Sequence, residues 1–260
     1  AHLGATVLGV HPPRPPPSPP PPPPLAPVEL PSGVSAWYRQ GRFDLVGGTW
    51  PDASGNHPPA DLSGTGLAEL RVGGHGATIE VTALTGSDGS VVSFGDVIKS
   101  DFTICSATRY TGAANGRILQ GGDANWLHGH QGDKTGVAYY GKWVTTYSAH
   151  VSPHTDWVCM CGSNVDIPGV QPVKLVNGVN RSNTVTGGTG GVTLWINGGD
   201  FATTKVFFAV AEVIVWERVL SGDEMEAASA HLGSTVLGVL YPPPPPSLPP
   251  SPPPAAPPEG

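Results

Sequence analysis

Charge is scarce in this chain: only 13% of its 260 residues are Asp, Glu, Lys or Arg, and the net charge is −7. With 13 Lys and Arg scattered and no basic patch, nucleic acid is excluded as the natural partner. No run approaches 18 consecutive apolar residues, so this segment carries no candidate membrane-spanning helix. There is no secretory leader, and an internal segment of a longer chain would carry none. Cysteine is limited to Cys105, Cys159 and Cys161, an odd count that leaves one bridge and a free thiol, buried free thiols, or an intermolecular link. Zinc would need four suitably spaced ligands, and Cys-Met-Cys is too short for a zinc knuckle.

Proline is abundant but sharply segregated. Of 31 prolines, 13 lie between Pro12 and Pro31 and 12 between Pro242 and Pro258, leaving six in the middle. All seven Trp lie in that middle, about 200 residues long and large enough for one core. The opening Ala1-His-Leu-Gly-Ala-Thr-Val-Leu-Gly-Val10 returns as Ala230-His-Leu-Gly-Ser-Thr-Val-Leu-Gly-Val239, with nine of ten positions identical. A proline run follows each copy, the mark of one period of a tandem array. The expected organisation is therefore 1–10, the tail of a preceding repeat; 11–31, a polyproline II rod; 32–233, the folded domain; 234–241, a connector; and 242–260, the next rod.

Proline lacks an N–H and fixes φ, so neither helix nor sheet suits these ends. Polyproline II, rising about 3.1 Å per residue, makes twenty residues a spacer of about 60 Å. A bare flexible linker is the alternative reading. The blocks Ser18-(Pro)6 and Ser251-(Pro)3 resemble the Ser-(Pro)n blocks of plant and green-algal hydroxyproline-rich glycoproteins. That resemblance implies hydroxylation and arabinosylation at Pro16, Pro17, Pro19, Pro20, Pro21, Pro22, Pro23 and Pro24 in the first rod. In the second it implies the same at Pro242, Pro243, Pro244, Pro245, Pro246, Pro252, Pro253 and Pro254.

The middle reads as short β-rich runs separated by Gly, Asn and Asp, among them 76–82, 102–110, 117–120, 136–140, 143–147, 157–161, 173–176, 191–196 and 206–216. Many short strands without intervening helical patterns predict an antiparallel sandwich or barrel. One helix closes the domain, opened by the capping box Ser221-Gly-Asp-Glu224 and ended by Gly233 as its C′ residue. Trp50-Pro-Asp-Ala-Ser-Gly-Asn56, Lys174-Leu-Val-Asn-Gly-Val179 and Phe208-to-Met225 resemble, in order, the opening, hairpin and closing motifs of laminin-G-like, concanavalin A-like domains. The resemblance implies an all-β jelly-roll sandwich of two packed sheets.

Several residues carry possible chemistry. Cys105 lies mid-strand and Cys161 ends Trp-Val-Cys-Met-Cys next to Gly162, so Cys105–Cys161 is the expected bridge, with Cys105–Cys159 the competing register. His128-Gly-His130 puts two imidazoles on one strand face, with Asp133, His150 and His154 able to approach; a metal pair competes with hydrogen-bonded histidines. Some laminin-G domains bind calcium through Asp and loop carbonyls, and Asp52 lies in the opening motif of the resemblance, where it otherwise fixes the Ser-Gly-Asn turn; no other cofactor is expected. Glycosidases need two facing carboxylates, whereas the odd separation of Glu212 and Glu217 turns them to opposite faces, and no Gly-x-Ser-x-Gly elbow is present, so no catalytic residue is assigned. Asn180-Arg-Ser182 is the one N-glycosylation sequon.

Two functions follow. The first is a structural repeat of an extracellular glycoprotein fibre of the algal cell-wall or flagellar-hair (mastigoneme) kind. Its partners would be neighbouring repeats, other fibre glycoproteins and arabinose-rich glycans. The rival is a carbohydrate-binding lectin-like module of a cell-wall adhesin, using Tyr139, Tyr140 and Trp143 as a platform unless core packing claims them.

Overall fold

The structure, a computed structural model, describes residues 28–164, 173–183, 188–201 and 205–241. The first copy of the repeat at 1–10 lies outside them, as do the proline positions expected to be modified, Pro16 to Pro24, Pro242 to Pro246 and Pro252 to Pro254.

In chain order the strands are β1 (Ala36–Tyr38), β2 (Thr49–Trp50), β3 (Ala60–Gly64), β4 (Ala68–Gly74), β5 (Ala77–Gly86), β6 (Ser90–Ile98) and β7 (Thr103–Asn115). There follow β8 (Leu119–Gly121), β9 (Trp126–Gln131), β10 (Lys134–Tyr140), β11 (Val158–Ser163), β12 (Lys174–Val176), β13 (Val179–Asn180), β14 (Val192–Ile196) and β15 (Val206–Trp216). One helix, α1 (Gly222–His231), runs into a π-helical turn over Leu232–Leu237. One sheet has the order β13-β12-β11-β7-β15-β5-β4, with β1 also paired to β15; the other has β10-β9-β8-β14-β6-β3-β2. The pairings are antiparallel, and the molecule is the all-β sandwich that the sequence implies.

Three layers result rather than two. Between the sheets lies a core of Trp50, Phe94, Phe102, Tyr110, Trp126, Tyr140 and Phe208 with their aliphatic neighbours. A second apolar layer forms where α1 and the π turn cover the outer face of the eight-stranded sheet, burying Trp157, Trp216, Met225, Leu232, Val236 and Leu237. Strand β15 is therefore covered on both faces, which explains its nearly unbroken apolar sequence. Its register shifts between Val210 and Glu212. Phe208 and Val210 point into the inter-sheet core, and after the shift Val213 and Val215 do so. The extra residue thereby keeps Glu212 out of that core and turns it toward α1.

The domain limits differ from the expected 32–233. Trp216 Nε1 donates to the Pro31 carbonyl at 3.1 Å, and Leu30 packs on the second layer. The connector 234–241 belongs to the domain: Val236 and Leu237 are buried, and Val239 and Tyr241 pack against the same layer. Gly233 is not the C′ residue. The helix runs past it because Leu232, Val236 and Leu237 need burial, and it stops at Gly238, which is left-handed at φ 67°. The capping box forms as expected, Ser221 Oγ accepting from Glu224 N at 3.3 Å and Glu224 Oε2 from Ser221 N at 2.9 Å. Residues 143–147 do not form a strand but meet the sheet through isolated bridges, Tyr139 to Trp143 and Thr145 to Ser182.

Candidate functional site

The structure joins Cys105 to Cys161 with a Cα separation of 4.1 Å. The two residues face each other directly in the β7–β11 register, while Cys159 faces Ala107. Cys159 is free and buried; burial pushes its thiol up to about 12.

His128 and His130 both point into the interior and are occupied there. The Tyr140 hydroxyl donates to His128 Nδ1 at 2.7 Å, and His128 Nε2–H donates to the Met160 carbonyl at 3.2 Å. His130 Nδ1 meets Thr108 Oγ1 at 3.3 Å, and its ring packs edge-on to Tyr110. Burial drives His128 down to about 4 and His130 to about 3, so both are neutral at pH 7. Asp133 bonds to Asn115 and His150 to Thr146 rather than to either histidine. Among the described residues no group of three His, Cys, Asp or Glu is placed to hold a metal.

Asp52 fixes a turn. Its carboxylate accepts from the backbone of Trp37, Ser54, Asn56 and His57 and from the Ser54 hydroxyl. Burial opposes its ionisation, but those bonds outweigh it and hold the carboxyl below its ordinary value. Glu212 is buried and accepts from Trp37 Nε1 at 2.5 Å, with His231 Nε2 at 3.3 Å. Glu217 is half exposed, 3.5 Å from His57.

The three aromatic candidates separate. Tyr140 belongs to the inter-sheet core, stacked on Trp126 with centroids 5.0 Å apart, and cannot serve as a platform. Tyr139 and Trp143 stay partly exposed with rings 5.2 Å apart. Tyr147, which sequence reasoning passed over, joins them at 4.5 Å from Trp143 and is 49% exposed. Arg117 lies beside this edge cluster, its Nε donating to Gln131 Oε1 at 2.9 Å. Burial lowers the Arg117 pKa, against the pull of the Tyr139 and Tyr147 hydroxyls, so the guanidinium is partly stripped of water. Its Nη1 has no hydrogen-bond partner in the protein. The result is a patch of three touching rings beside a half-buried guanidinium, at the β10 edge of the seven-stranded sheet.

A second recess lies toward the opposite edge of the same sheet. Its volume is about 430 Å³, and its walls are His57, Pro58, Pro59, Asp61, Ser93, Phe94, Gly95, Asp96 and Lys99. Asn180 is exposed at the end of the edge strand β13, its side-chain Oδ1 accepting from Ser182 N at 2.9 Å.

No protein-family signature and no curated protein matches the chain. Among solved structures it is similar to domain 4 of AbnA, an extracellular GH43 arabinanase from Geobacillus stearothermophilus, solved in complex with arabinotriose. Identity is 16% with a TM-score of 0.50, over 76% of this chain and 98% of that domain. It is also similar to Trypanosoma rangeli sialidase in complex with 2,3-difluoro-KDN, at 15% identity and a TM-score of 0.50, over 81% of this chain but 34% of the sialidase. Likeness at this level of identity establishes one thing, the β-sandwich fold.

Proposed function

We propose that the sandwich is a carbohydrate-binding module. The observation that carries this reading is the edge cluster of Tyr139, Trp143 and Tyr147, three rings in contact at the surface beside the partly desolvated Arg117. Aromatic faces cover the C–H faces of sugars, and a few placed donors orient the hydroxyls. A domain of the same fold that was solved with arabinotriose supports the choice of a neutral pentose oligosaccharide as first probe. Calorimetric titration of the full chain with arabinotriose should give saturable binding, weakened at least tenfold by Trp143→Ala. Absence of binding, or binding indifferent to Trp143→Ala and Tyr147→Ala, would sink the reading.

A second reading concerns the parent assembly, an extracellular fibre of sandwich units spaced by arabinosylated polyproline. It is favoured by the seating of residues 230–239, whose Leu232, Val236 and Leu237 are built into the second apolar layer. A sequence so deeply part of one domain is expected to complete another wherever it recurs, and it recurs at 1–10. Mass spectrometry of native material should show hydroxylated, pentose-bearing prolines at 16–24 and 242–254; unmodified proline throughout would leave only a linker.

A further inference from the structure

One row of directly paired residues crosses the seven-stranded sheet: Tyr139, Leu127, Gln120, Trp195, Ser93 and Asp61. Their neighbours along each strand, Tyr140, Trp126, Leu119, Leu194, Val92 and Leu62, belong to the inter-sheet core. Alternation therefore turns the whole row to the outer face. Leu127 and Gln120 are buried, so the row meets solvent in two places. One is the edge cluster at Tyr139. The other comprises Trp195, Ser93 and Asp61, of which the last two line the 430 Å³ recess.

The second place has the build of a saccharide site. Trp195 is held by its Nε1–H, which donates to Thr193 Oγ1 at 3.1 Å. A Cβ on Gly122 or Gly198 would collide with the Trp195 ring, so those glycines form a flat bed for the indole. The recess adds an apolar wall at Pro58 and Pro59, the Ser93 hydroxyl, and the exposed Asp61. Its one ammonium, Lys99, is tied to Asp96 at 2.7 Å, and Glu217 stands behind His57 at 3.5 Å. The carboxylate left over is Asp61, which repels anionic ligands and accepts from hydroxyl groups. A bare polyproline chain has no N–H to offer it.

We infer that this recess is a second subsite for neutral saccharide units, and that one extended oligosaccharide spans it and the edge cluster. The inference rests on the carbohydrate-binding reading. Five strand spacings separate Tyr139 from Asp61, about 24 Å, which is the distance such a ligand bridges.

The test is titration of the full chain with linear arabino-oligosaccharides of increasing length, from arabinotriose upward. Affinity should step up at least tenfold at the first length that reaches both places, because the second contact becomes intramolecular. Asp61→Ala and the recess-filling Ser93→Tyr should each abolish that step, so that no length binds more than about twofold tighter than arabinotriose does. Trp143→Ala should weaken every length. Circular dichroism spectra and thermal midpoints that match those of the parent chain establish that the recess variants are folded. The subsite is refuted if affinity rises without a step or if the step survives both recess variants. It is equally refuted if a decaproline peptide binds in a manner that Asp61→Ala removes, which would give the recess to the rods. Failure of arabinotriose itself to bind would instead strike the carbohydrate reading, and this inference would fall with it.

Discussion

Glu212 Oε1 lies 3.3 Å from His231 Nε2, a contact between the closing strand and the end of the helix, sealed under Trp37. The same oxygen accepts from Trp37 Nε1, and His231 Nδ1 faces the Val28 carbonyl at 3.0 Å. Strands β1 and β15 and helix α1 therefore meet at one buried carboxyl, with the Val28 carbonyl held on the far side of His231. Glu212→Ala should strip two buried donors of their acceptor and cost about 3 kcal/mol in urea unfolding. Glu212→Gln, which keeps an acceptor, should cost less. A loss under about 1 kcal/mol for the alanine variant would mean that the contact does not organise the helix layer.

The disulfide closes a loop with a sequence separation of 56 between two fully buried cysteines. By chain entropy its removal should lower stability by about 4 kcal/mol. The native protein should yield no thiol to Ellman's reagent, since Cys159 is buried and its ionisation suppressed. Denaturation without reductant should release one. Two or three thiols under those conditions would contradict the pairing.

Acid should weaken the fold through His128 and His130 before carboxylates matter. Their folded pKa values lie below the unfolded value of 6.5, so the unfolded chain binds more protons between them. Stability is full above pH 6.5 and falls as pH drops toward 4 and 3, by about 1.4 kcal/mol per pH unit for each histidine. Urea midpoints measured from pH 7 to 4 should show the decline, and His130→Gln should flatten it. An identical slope in that variant would remove His130 from the account.

The helix cap offers a local check. Ser221→Ala loses the hydroxyl that accepts from Glu224 N, and about 1 kcal/mol of stability should go with it. The salt bridge from Arg218 to Glu224, 2.7 Å long but over a third exposed on both sides, should add less than that. A double-mutant cycle on thermal midpoints separates the two.

Legibility from sequence followed how local each signal was. Strand β15 was readable from its apolar run, the helix start from Ser221 and Glu224, and the β12–β13 hairpin from Asn177-Gly178, both at positive φ. Strands β3, β4 and β6 were not expected: β3 offers only two apolar residues, Gly73-Gly74 closes β4, and β6 buries Ser90 while leaving Val91 partly exposed. Trp143 to Tyr147 resembled a strand by composition, yet isolated bridges, one to Tyr139 of β10 and one to Ser182, hold that segment in place of a ladder. Two of the three edge rings were named in advance. Tyr140 takes the core-packing alternative that its spacing also allowed, stacked on Trp126, its direct partner on the adjacent strand β9. The recess and the Trp195 row depend on register between segments up to 134 residues apart, from Asp61 to Trp195, and no local pattern encodes register.

The Val28 carbonyl is held by His231, and the Tyr241 ring packs against Gly233 two residues further on. Entry to and exit from the domain thus sit on one seam, on the helix side of the eight-stranded sheet. Tension applied along the chain at these two points is borne across that seam as shear between the entering segment and the helix. The sandwich behind it is bypassed, as a pulley block is when both ropes are tied to its hook. A string of such units would lengthen first by slipping at the seams, while the strand pairings of both sheets stay intact.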